Sequence, residues 1–378
     1  MQFYLEVDQI INSVHSQIKD NKFKIGLFAA NCSGGIAATN AKERWTPTWD
    51  NNLNLTKMAD EAGIEFMIPL GRWAGYGGEC DHNGNSFETL VWAAGLLAAT
   101  EKIKIFSTLH VAMVNPVFAA KQMVTADHIG RGRFGLNIVC GWNQEEFAML
   151  GINLDAHQER YELGEEWIKI VTNIWQEEKP FSFKGKFFHL KNVQAKPKPI
   201  SQPRPIIMNA GQSGPGLNFA VRNADYLFRA IQKMSTAKTE IQEVKKLSET
   251  LNRNVDVFTN AYCVCRPTNR EAEEFHHYYA VENANEEAVE KMYVGRGIKD
   301  NPDLSDAVKA DIKLRMAGGN SGYPLIGDPD TVTSKIKMLS EAGFCGIAMG
   351  LVNFLDELPY FRDEVLPRLE RIGLRHPI

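Results

Sequence analysis

KIKIFSTLHVAMVNPVFAAKQMVTADHIGRGRFGLNIVCGWNQEEF, residues 102–147, contains two apolar runs separated by one helical pattern. The runs at 102–109 and 133–139 are typical of buried strands, and the helical pattern between them begins at Pro116 and ends at Ile129. A strand, a helix and a second strand in this order form a βαβ unit, which makes the two strands parallel neighbours in one sheet.

The same alternation continues along most of the chain. Six further apolar runs lie at 24–30, 64–70, 205–210, 225–231, 255–264 and 346–352. Eight strands followed by helices predict an α/β fold, a (β/α)8 TIM barrel. The 378 residues exceed the roughly 250 of such a barrel, so we expect one domain over 1–378 with insertions at about 180–205 and 270–324.

Composition excludes several classes of partner. The formal net charge of -4 gives no basic stripe for nucleic acid and no basic patch for a membrane surface. The six cysteines are scattered without the spacing of a zinc site, and the N-terminus has no basic segment followed by an apolar one. We therefore expect a cytoplasmic protein with reduced thiols and a small-molecule substrate.

A polar side chain interrupts the apolar strand at 133–139. Alternation places Asn137 on the face opposite to Phe134 and Leu136, which would pack against helices, so Asn137 is expected to point into the barrel near its mouth. Thr108 holds a similar place at the end of the preceding strand. Both are candidate catalytic residues, although a pair of hydrogen-bonded core polar groups would read the same way.

Two features suggest a phosphate site. NAGQSGPGLNFA at 209–220 places glycines and Ser213 at a turn from strand to helix, where free amides can receive a phosphate. Arg160, in HQERY at the start of a long helix, offers a guanidinium fork. An ordinary turn and an exposed helix charge are the alternatives, but the two features together favour a phosphorylated cofactor.

The segment GRWAGYGGECDHNGN at 71–85 is long, rich in glycine and aromatic, which suits a flap over a planar ligand. His82, with Cys80 and Asp81, could suggest a metal site, but no second cluster of ligands has the required spacing, so no metal is expected. His276 and His277 lie in a charged helical pattern and are expected to face solvent.

Several stretches together carry a family resemblance. They are the opening stretch at 102–147, HQERYELGEEWIKIVTNIW at 157–175, FSFKGKFFHLKNVQAKPKPISQPRPIIMNAGQS at 181–213 and LIGDPDTV at 325–332. From about Lys24 to Pro367 the chain resembles the bacterial-luciferase-like flavin-dependent monooxygenases. Within them it is similar to the branch of dimethyl sulfone, pyrimidine and alkanesulfonate monooxygenases.

The resemblance implies FMN, used as FMNH2, with O2 as the co-substrate. It implies an FMN site made of Gly71, Arg72, Asn137, Glu146, Arg160, Tyr161 and Ser213, the last three on the phosphate. It also implies that Thr108 and Asn137 hold dioxygen beside the flavin. Arg72 and Tyr262 are the candidates for contacting the substrate.

Departures from the family pattern bear on the substrate. Ala74, Asn260, Tyr262 and Leu351 stand where the alkanesulfonate enzymes carry Cys, Arg, His and Tyr, which argues against a sulfonate. Arg72 replaces a Lys of the pyrimidine enzymes, and the two cations are not equivalent. A small, neutral organosulfur or nitrogen-heterocycle substrate is favoured.

The resemblance further implies a two-component enzyme that inserts one oxygen atom of O2 into its substrate. A separate flavin reductase would supply FMNH2, and the chain would form a homodimer or homotetramer. Two alternatives keep the barrel: a deazaflavin-dependent oxidoreductase that transfers hydride, and a flavin-binding barrel without turnover.

Overall fold

The computed structural model describes residues 21–153, 157–212, 214–231 and 233–377. Eleven strands lie within those ranges. They are β1 (Lys24–Phe28), β2 (Phe66–Ile68), β3 (Lys104–His110), β4 (Phe134–Val139), β5 (Phe181–Lys184), β6 (His189–Val193), β7 (Ile206–Asn209), β8 (Tyr226–Phe228), β9 (Asp256–Cys265), β10 (Tyr323–Gly327) and β11 (Gly346–Gly350).

Thirteen α-helices lie in the same ranges, with π-helical turns at Tyr278–Glu282 and Phe361–Val365. The helices are α1 (Trp49–Glu61), α2 (Thr89–Ala98), α3 (Pro116–Ile129), α4 (Gln144–Met149), α5 (His157–Gln176), α6 (Gly214–Asn223), α7 (Met234–Thr250), α8 (Asn269–His277), α9 (Glu286–Gly295), α10 (Asp306–Gly319), α11 (Pro329–Ala342), α12 (Phe354–Tyr360) and α13 (Leu366–Arg371). In the part of the chain that is described, none of them has the length and apolar character needed to cross a membrane.

Eight parallel strands close into a barrel. Around the barrel their order is β1, β2, β3, β4, β7, β8, β9 and β11, and β11 pairs again with β1. These are the eight strands that the apolar runs predicted, so the (β/α)8 prediction is confirmed. Closure removes both sheet edges and brings all eight carboxyl ends to one mouth.

Local signals place the helices between these strands. At α3, the Asn115 side chain accepts a hydrogen bond from the Val117 amide at 3.0 Å, and Pro116 occupies the first turn. Such a cap satisfies an amide that has no partner within the helix, while proline fixes a backbone angle that the helix requires. The helix therefore begins at the residue that the sequence indicated.

Aromatic rings fill the barrel interior because glycines leave room for them. A Cβ added at Gly26 would lie 2.2 Å from a ring atom of Phe66, and one added at Gly135 would lie 2.4 Å from the Phe106 ring. Phe66 packs edge-on against Phe106 and also against Phe258, at centroid distances of 5.9 and 5.7 Å. The barrel below its mouth is thus a packed core rather than a channel.

The two predicted insertions contain secondary structure of their own. The segment at 180–205 contains an antiparallel hairpin, β5 and β6. The segment at 270–324 contains α9 and α10 and most of α8, and it ends in β10, a strand that the sequence did not predict.

The unpredicted strand β10 pairs with the second half of β9. Ala261 and Tyr262 pair with β11 on one side and with β10 on the other, so β10 lies on the side of β9 that β8 occupies lower down. The segment at 270–324 therefore begins just beyond β9 and returns beside the same strand.

Candidate active site

Asn137 and Thr108 meet at the mouth of the barrel. They are register partners on β4 and β3, and the Asn137 amide donates to the Thr108 hydroxyl at 3.1 Å. Thr108 in turn donates to the Pro69 carbonyl at 2.6 Å. Among the described residues, the side-chain oxygen of Asn137 has no hydrogen-bond partner. The side-chain amide therefore keeps one acceptor and one N–H free.

The alternation inferred for β4 agrees with the packing. Phe134 and Leu136 are buried in the cluster that joins the barrel to its helices, whereas Gly135 faces the Phe106 ring inside the barrel. Asn137 lies on the inner face with Gly135 and is less buried than either apolar neighbour. The strand thus carries its one amide to the point where the packed interior ends.

Gly71 lies against Thr108 and a histidine that the sequence analysis overlooked. A Cβ at Gly71 would lie 2.8 Å from Cε1 of His110 and 2.9 Å from the Thr108 methyl carbon, so only glycine fits there without displacement. His110 is 6% exposed and follows Thr108 by two residues, on the same face of β3. Burial lowers its pKa to about 4, although Glu146 opposes the shift, and Arg72 lowers it further.

Arg72 and Glu146 form a buried ion pair beside Gly71. Their side chains are 5% and 1% exposed, and Arg72 Nη1 lies 3.1 Å from Glu146 Oε1. The same carboxylate oxygen accepts hydrogen bonds from the backbone amides of Trp73 at 2.9 Å and Ala74 at 3.3 Å. Glu146 therefore holds the start of the 71–85 loop in place.

The turn after β4 explains how Glu146 reaches that loop. Gly141 has a φ of +105°, and a Cβ there would lie 2.4 Å from the Phe147 ring, so the turn requires glycine. Asn143 then caps α4 by accepting from the Glu145 amide at 3.1 Å. The break in the apolar run thus converts a strand into a short helix whose first turn carries Glu146 to Arg72.

Rings enclose the Arg72 guanidinium. Its Cζ lies 4.8 Å from the Tyr76 ring centroid and 5.3 Å from that of Trp142, both within the range of cation–π attraction. Its Nε is buried and has no hydrogen-bond partner. His82 stacks on Tyr76 at 6.1 Å, and the Asn285 side chain of the insertion donates to the Gly77 carbonyl at 3.1 Å.

The predicted phosphate residues come together in part. Arg160 donates to the Gly141 carbonyl, and its Nε is buried without a partner. The Tyr161 hydroxyl lies beside Gly216, where an added Cβ would be 2.5 Å away. The glycine turn therefore packs against the start of α5, while Ser213 lies outside the described residues.

The glycine turn after β7 is held by the side chain of Asn209. Asn209 accepts from the Gly211 amide at 2.8 Å and donates to the Ile138 carbonyl at 2.7 Å. These bonds connect the end of β7 with the neighbouring strand β4. They hold the start of α6 next to Tyr161.

Tyr262 is buried, but it is directed towards the insertion rather than towards Arg72. Its ring stacks on His276 at 5.7 Å, and its hydroxyl lies 3.5 Å from His276 Nε2. Burial raises the pKa of Tyr262 and lowers that of His276 to about 4. The expectation that His276 faces solvent is wrong, because α8 folds back over β9; His277 is exposed as expected.

Among the described residues, no group of three or more His, Cys, Asp or Glu side chains is arranged to hold a metal ion. The groups available at the mouth are thus an amide, a hydroxyl, neutral imidazoles, guanidinium groups and the Glu146 carboxylate.

Comparison with known proteins gives this arrangement its context. The family model described as luciferase-like monooxygenase matches residues 23–345, a span that includes seven of the barrel strands in full and every site residue discussed above. The chain belongs to the luciferase-like monooxygenase family. The predicted family and the prediction that the chain is a monooxygenase are confirmed.

Relatives of this luciferase-like monooxygenase match over almost their whole length. The FMNH2-dependent dimethylsulfone monooxygenase of Pseudomonas fluorescens (strain Pf0-1) is 29% identical over 357 residues, which cover 92% of this chain and 95% of the relative. The pyrimidine monooxygenase RutA of Methylorubrum extorquens (strain PA1) is 26% identical over 364 residues, which cover 93% and 95%. The crystal structure of DmoA from Hyphomicrobium sulfonivorans has the same fold, with a TM-score of 0.83, 18% identity and coverage of 93% and 89%.

Proposed function

We propose that the protein is an FMNH2-dependent two-component monooxygenase that inserts one oxygen atom of O2 into a small organosulfur or nitrogen-heterocycle substrate. The observation that carries the proposal is the Asn137–Thr108 pair, whose amide keeps hydrogen-bonding capacity at the barrel mouth. The FMNH2 dependence of the dimethylsulfone relative supports the cofactor. The deazaflavin alternative is not favoured.

The residues present fit FMN. The buried, unpartnered Nε of Arg160 lies on the first turn of α5, next to the glycine turn and the start of α6, and this combination suits a phosphate. Gly71 leaves the mouth open beside Thr108, where a planar ring system can approach the backbone. We propose that Arg160, Tyr161 and Ser213 hold the phosphate and that Gly71, Arg72, Asn137 and Glu146 hold the ring end.

When bound, reduced FMN supplies the two electrons with which one oxygen atom of O2 enters the substrate and the other leaves as water. The chain's own residues position the flavin, the oxygen and the substrate and keep water away from them. Thr108 directs its proton to the Pro69 carbonyl and therefore presents an oxygen lone pair towards Asn137, which fixes the orientation of the Asn137 amide. The 71–85 loop and the 270–324 insertion, joined by Asn285, exclude water.

The partners and setting are also proposals. A separate flavin reductase would deliver FMNH2, the form on which the dimethylsulfone relative depends, and the chain would work as a homodimer or homotetramer in the cytoplasm. Light scattering on the purified protein tests the oligomer. Titrating a flavin reductase into the reaction tests the delivery of FMNH2.

The test of the function is an anaerobic titration with FMNH2, followed by mixing with 18O2 and a substrate probe, dimethyl sulfone or uracil. We expect FMNH2 to bind and one 18O atom to appear in a product. Asn137→Ala should keep FMNH2 affinity within a few-fold while product formation falls by about 10²-fold or more, as when one preorganised hydrogen-bond donor is removed. Asn254→Ala, an exposed amide, is the control.

Two results would reject the proposal. A protein that does not bind FMNH2 is not a monooxygenase of this kind, and the same holds if 18O never enters any product across a panel of organosulfur compounds and heterocycles. Full activity in Asn137→Ala would refute the role of the amide alone.

A further inference from the structure

Arg296 follows the last residue of α9 and turns its guanidinium from the insertion towards the 71–85 loop. It donates to Ser321 Oγ at 3.3 Å and to the Asn320 side-chain oxygen. Asn320 and Ser321 have φ angles of 52° and 63°, so the chain turns sharply there and presents both acceptors to one guanidinium. Arg296 also interacts electrostatically with Tyr76, Arg72 and His82.

No carboxylate within the described ranges forms an ion pair with Arg296. Glu290, on the same helix, is bound by Lys299 at 3.2 Å and by Lys313 at 2.6 Å. Glu146, the buried carboxylate of the site, is bound by Arg72 at 3.1 Å. Since the Arg72–Glu146 pair is neutral as a whole, it does not compensate the charge of Arg296.

The neighbours of Arg296 do not compensate its charge. Burial lowers the pKa of Arg296, the Tyr76 hydroxyl opposes that shift and Arg72 adds to it. Burial, followed by Arg72 and Arg296, lowers the pKa of His82 to about 3, so its imidazole is neutral. Two buried nitrogens beside them, Arg72 Nε and His82 Nδ1, have no hydrogen-bond partner.

We infer that the substrate of this site carries an anionic oxygen group, a carboxylate or an oxidised sulfur acid, and that Arg296 together with Arg72 selects it. A half-buried cation without a counter-ion is unfavourable, and a ligand anion that pairs with it removes that cost at the moment of binding. Guanidinium groups also match the geometry of such oxygens. Arg296 thus becomes a specificity residue supplied by the insertion.

This inference deepens the proposed function and rests on it, because it names the charge of the substrate that the monooxygenase accepts. It revises the neutral substrate that the sequence favoured. That expectation came from side chains of the alkanesulfonate enzymes that are missing at Ala74, Asn260, Tyr262 and Leu351. The cation described here comes from a different segment.

The test compares two probes of nearly the same shape, of which one is neutral and the other is an anion. Dimethyl sulfone is neutral, whereas methanesulfonate replaces one methyl group by an anionic oxygen. Calorimetric titration of the full chain, with and without bound FMN, measures their affinities without turnover. We expect methanesulfonate to bind at least about tenfold more tightly, and the preference to weaken as salt is raised.

Variants test whether Arg296 causes the preference for methanesulfonate over dimethyl sulfone. Arg296→Gln should reduce it to near unity, Arg296→Lys should retain part of it, and Arg270→Gln, whose side chain is 84% exposed, should leave it unchanged. Circular dichroism and thermal unfolding confirm that each variant is folded. The comparison of the two probes on the wild type needs no variant at all.

Three outcomes would overturn the inference. Dimethyl sulfone could bind as tightly as methanesulfonate, the preference could survive in folded Arg296→Gln, or FMN could displace methanesulfonate competitively, which would assign the guanidinium groups to the cofactor phosphate. Failure of the proposed function has a different signature: FMNH2 does not bind and no 18O is incorporated, while the preference for methanesulfonate is still measured.

Discussion

Replacement of Glu146 by Gln tests how the mouth of the barrel is held together. The carboxylate is 1% exposed and accepts from Arg72 at 3.1 Å and from the amides of Trp73 and Ala74. Gln keeps an acceptor oxygen but removes the charge, so the Arg72 guanidinium stays buried without compensation. Breaking a buried pair from one side costs about 3 to 5 kcal/mol.

That loss in the free energy of unfolding corresponds to a measurable decrease in Tm. With an unfolding entropy of about 2.1 cal/mol/K per residue over 378 residues, 4 kcal/mol corresponds to a Tm lowered by about 5 °C. Differential scanning calorimetry measures it. Glu145→Gln is the matched control, because its carboxylate is 68% exposed and pairs with Lys291 at the surface, an interaction worth about 1 kcal/mol or less.

A double variant completes the cycle. Arg72→Met combined with Glu146→Gln removes both charges while the Gln oxygen can still accept from the amides of Trp73 and Ala74, and its stability should recover most of what Glu146→Gln loses. If Glu146→Gln lowers Tm no more than Glu145→Gln does, the ion pair does not stabilise the loop and the reasoning is refuted.

Three further predictions concern acid stability, barrel packing and phosphate binding. The fold holds His82 and His110 neutral, with pKa values of about 3 and about 4, whereas the unfolded chain protonates them below about pH 6.5. The unfolded state therefore binds more protons, and stability falls as pH drops from about 6.5 towards 4, by about 2 kcal/mol per histidine at pH 5. Urea titrations at pH 7 and pH 5 measure this loss. If His110→Gln lost as much stability between the two pH values as the wild type does, the prediction would be contradicted. Gly135→Ala should lose about 1 to 3 kcal/mol in urea unfolding because its Cβ meets a ring carbon at 2.4 Å, whereas Gly295→Ala, with nothing within 4 Å, should lose none. Arg160→Ala should weaken FMNH2 binding at least about tenfold in an anaerobic fluorescence titration, and an equal Kd would remove Arg160 from the phosphate site.

The barrel and the Asn137–Thr108 pair could be predicted because their signals are local. Apolar runs, helical patterns and the proline at the first turn of α3 each fall within a few residues, and the alternation of runs and patterns along the chain determines a parallel sheet. Once the runs at 102–109 and 133–139 are adjacent strands, the alternation along each strand places Thr108 and Asn137 together. The same alternation also places His110 on the face of β3 that carries Thr108, so the position of this histidine could have been predicted as well.

Other features could not be predicted from local patterns. Strand β10 contains Pro324, which lacks an amide hydrogen and weakens the strand signal, and the strand is defined by its pairing with one edge of β9. The stacking of Tyr262 on His276 depends on how α8 folds back. Arg296 reads as an exposed charge in VGRGIKD, and only the tertiary fold brings it to Arg72, more than two hundred positions earlier.

The pairing of β10 with β9 has a consequence for how this enzyme can change. The excursion between Cys265 and Tyr323 starts and finishes on neighbouring parallel strands, and because Tyr323 pairs with Ala261, its two ends are offset by four residues, about 13 Å, along the strands. Its two ends are therefore joined by the barrel itself, and lengthening the excursion costs little entropy. A foreign segment of different length can be grafted between these two points while the eight strands and the Asn137–Thr108 pair stay intact. If Arg296 selects the substrate as inferred, the substrate range can change with this segment while the strands of the barrel stay the same.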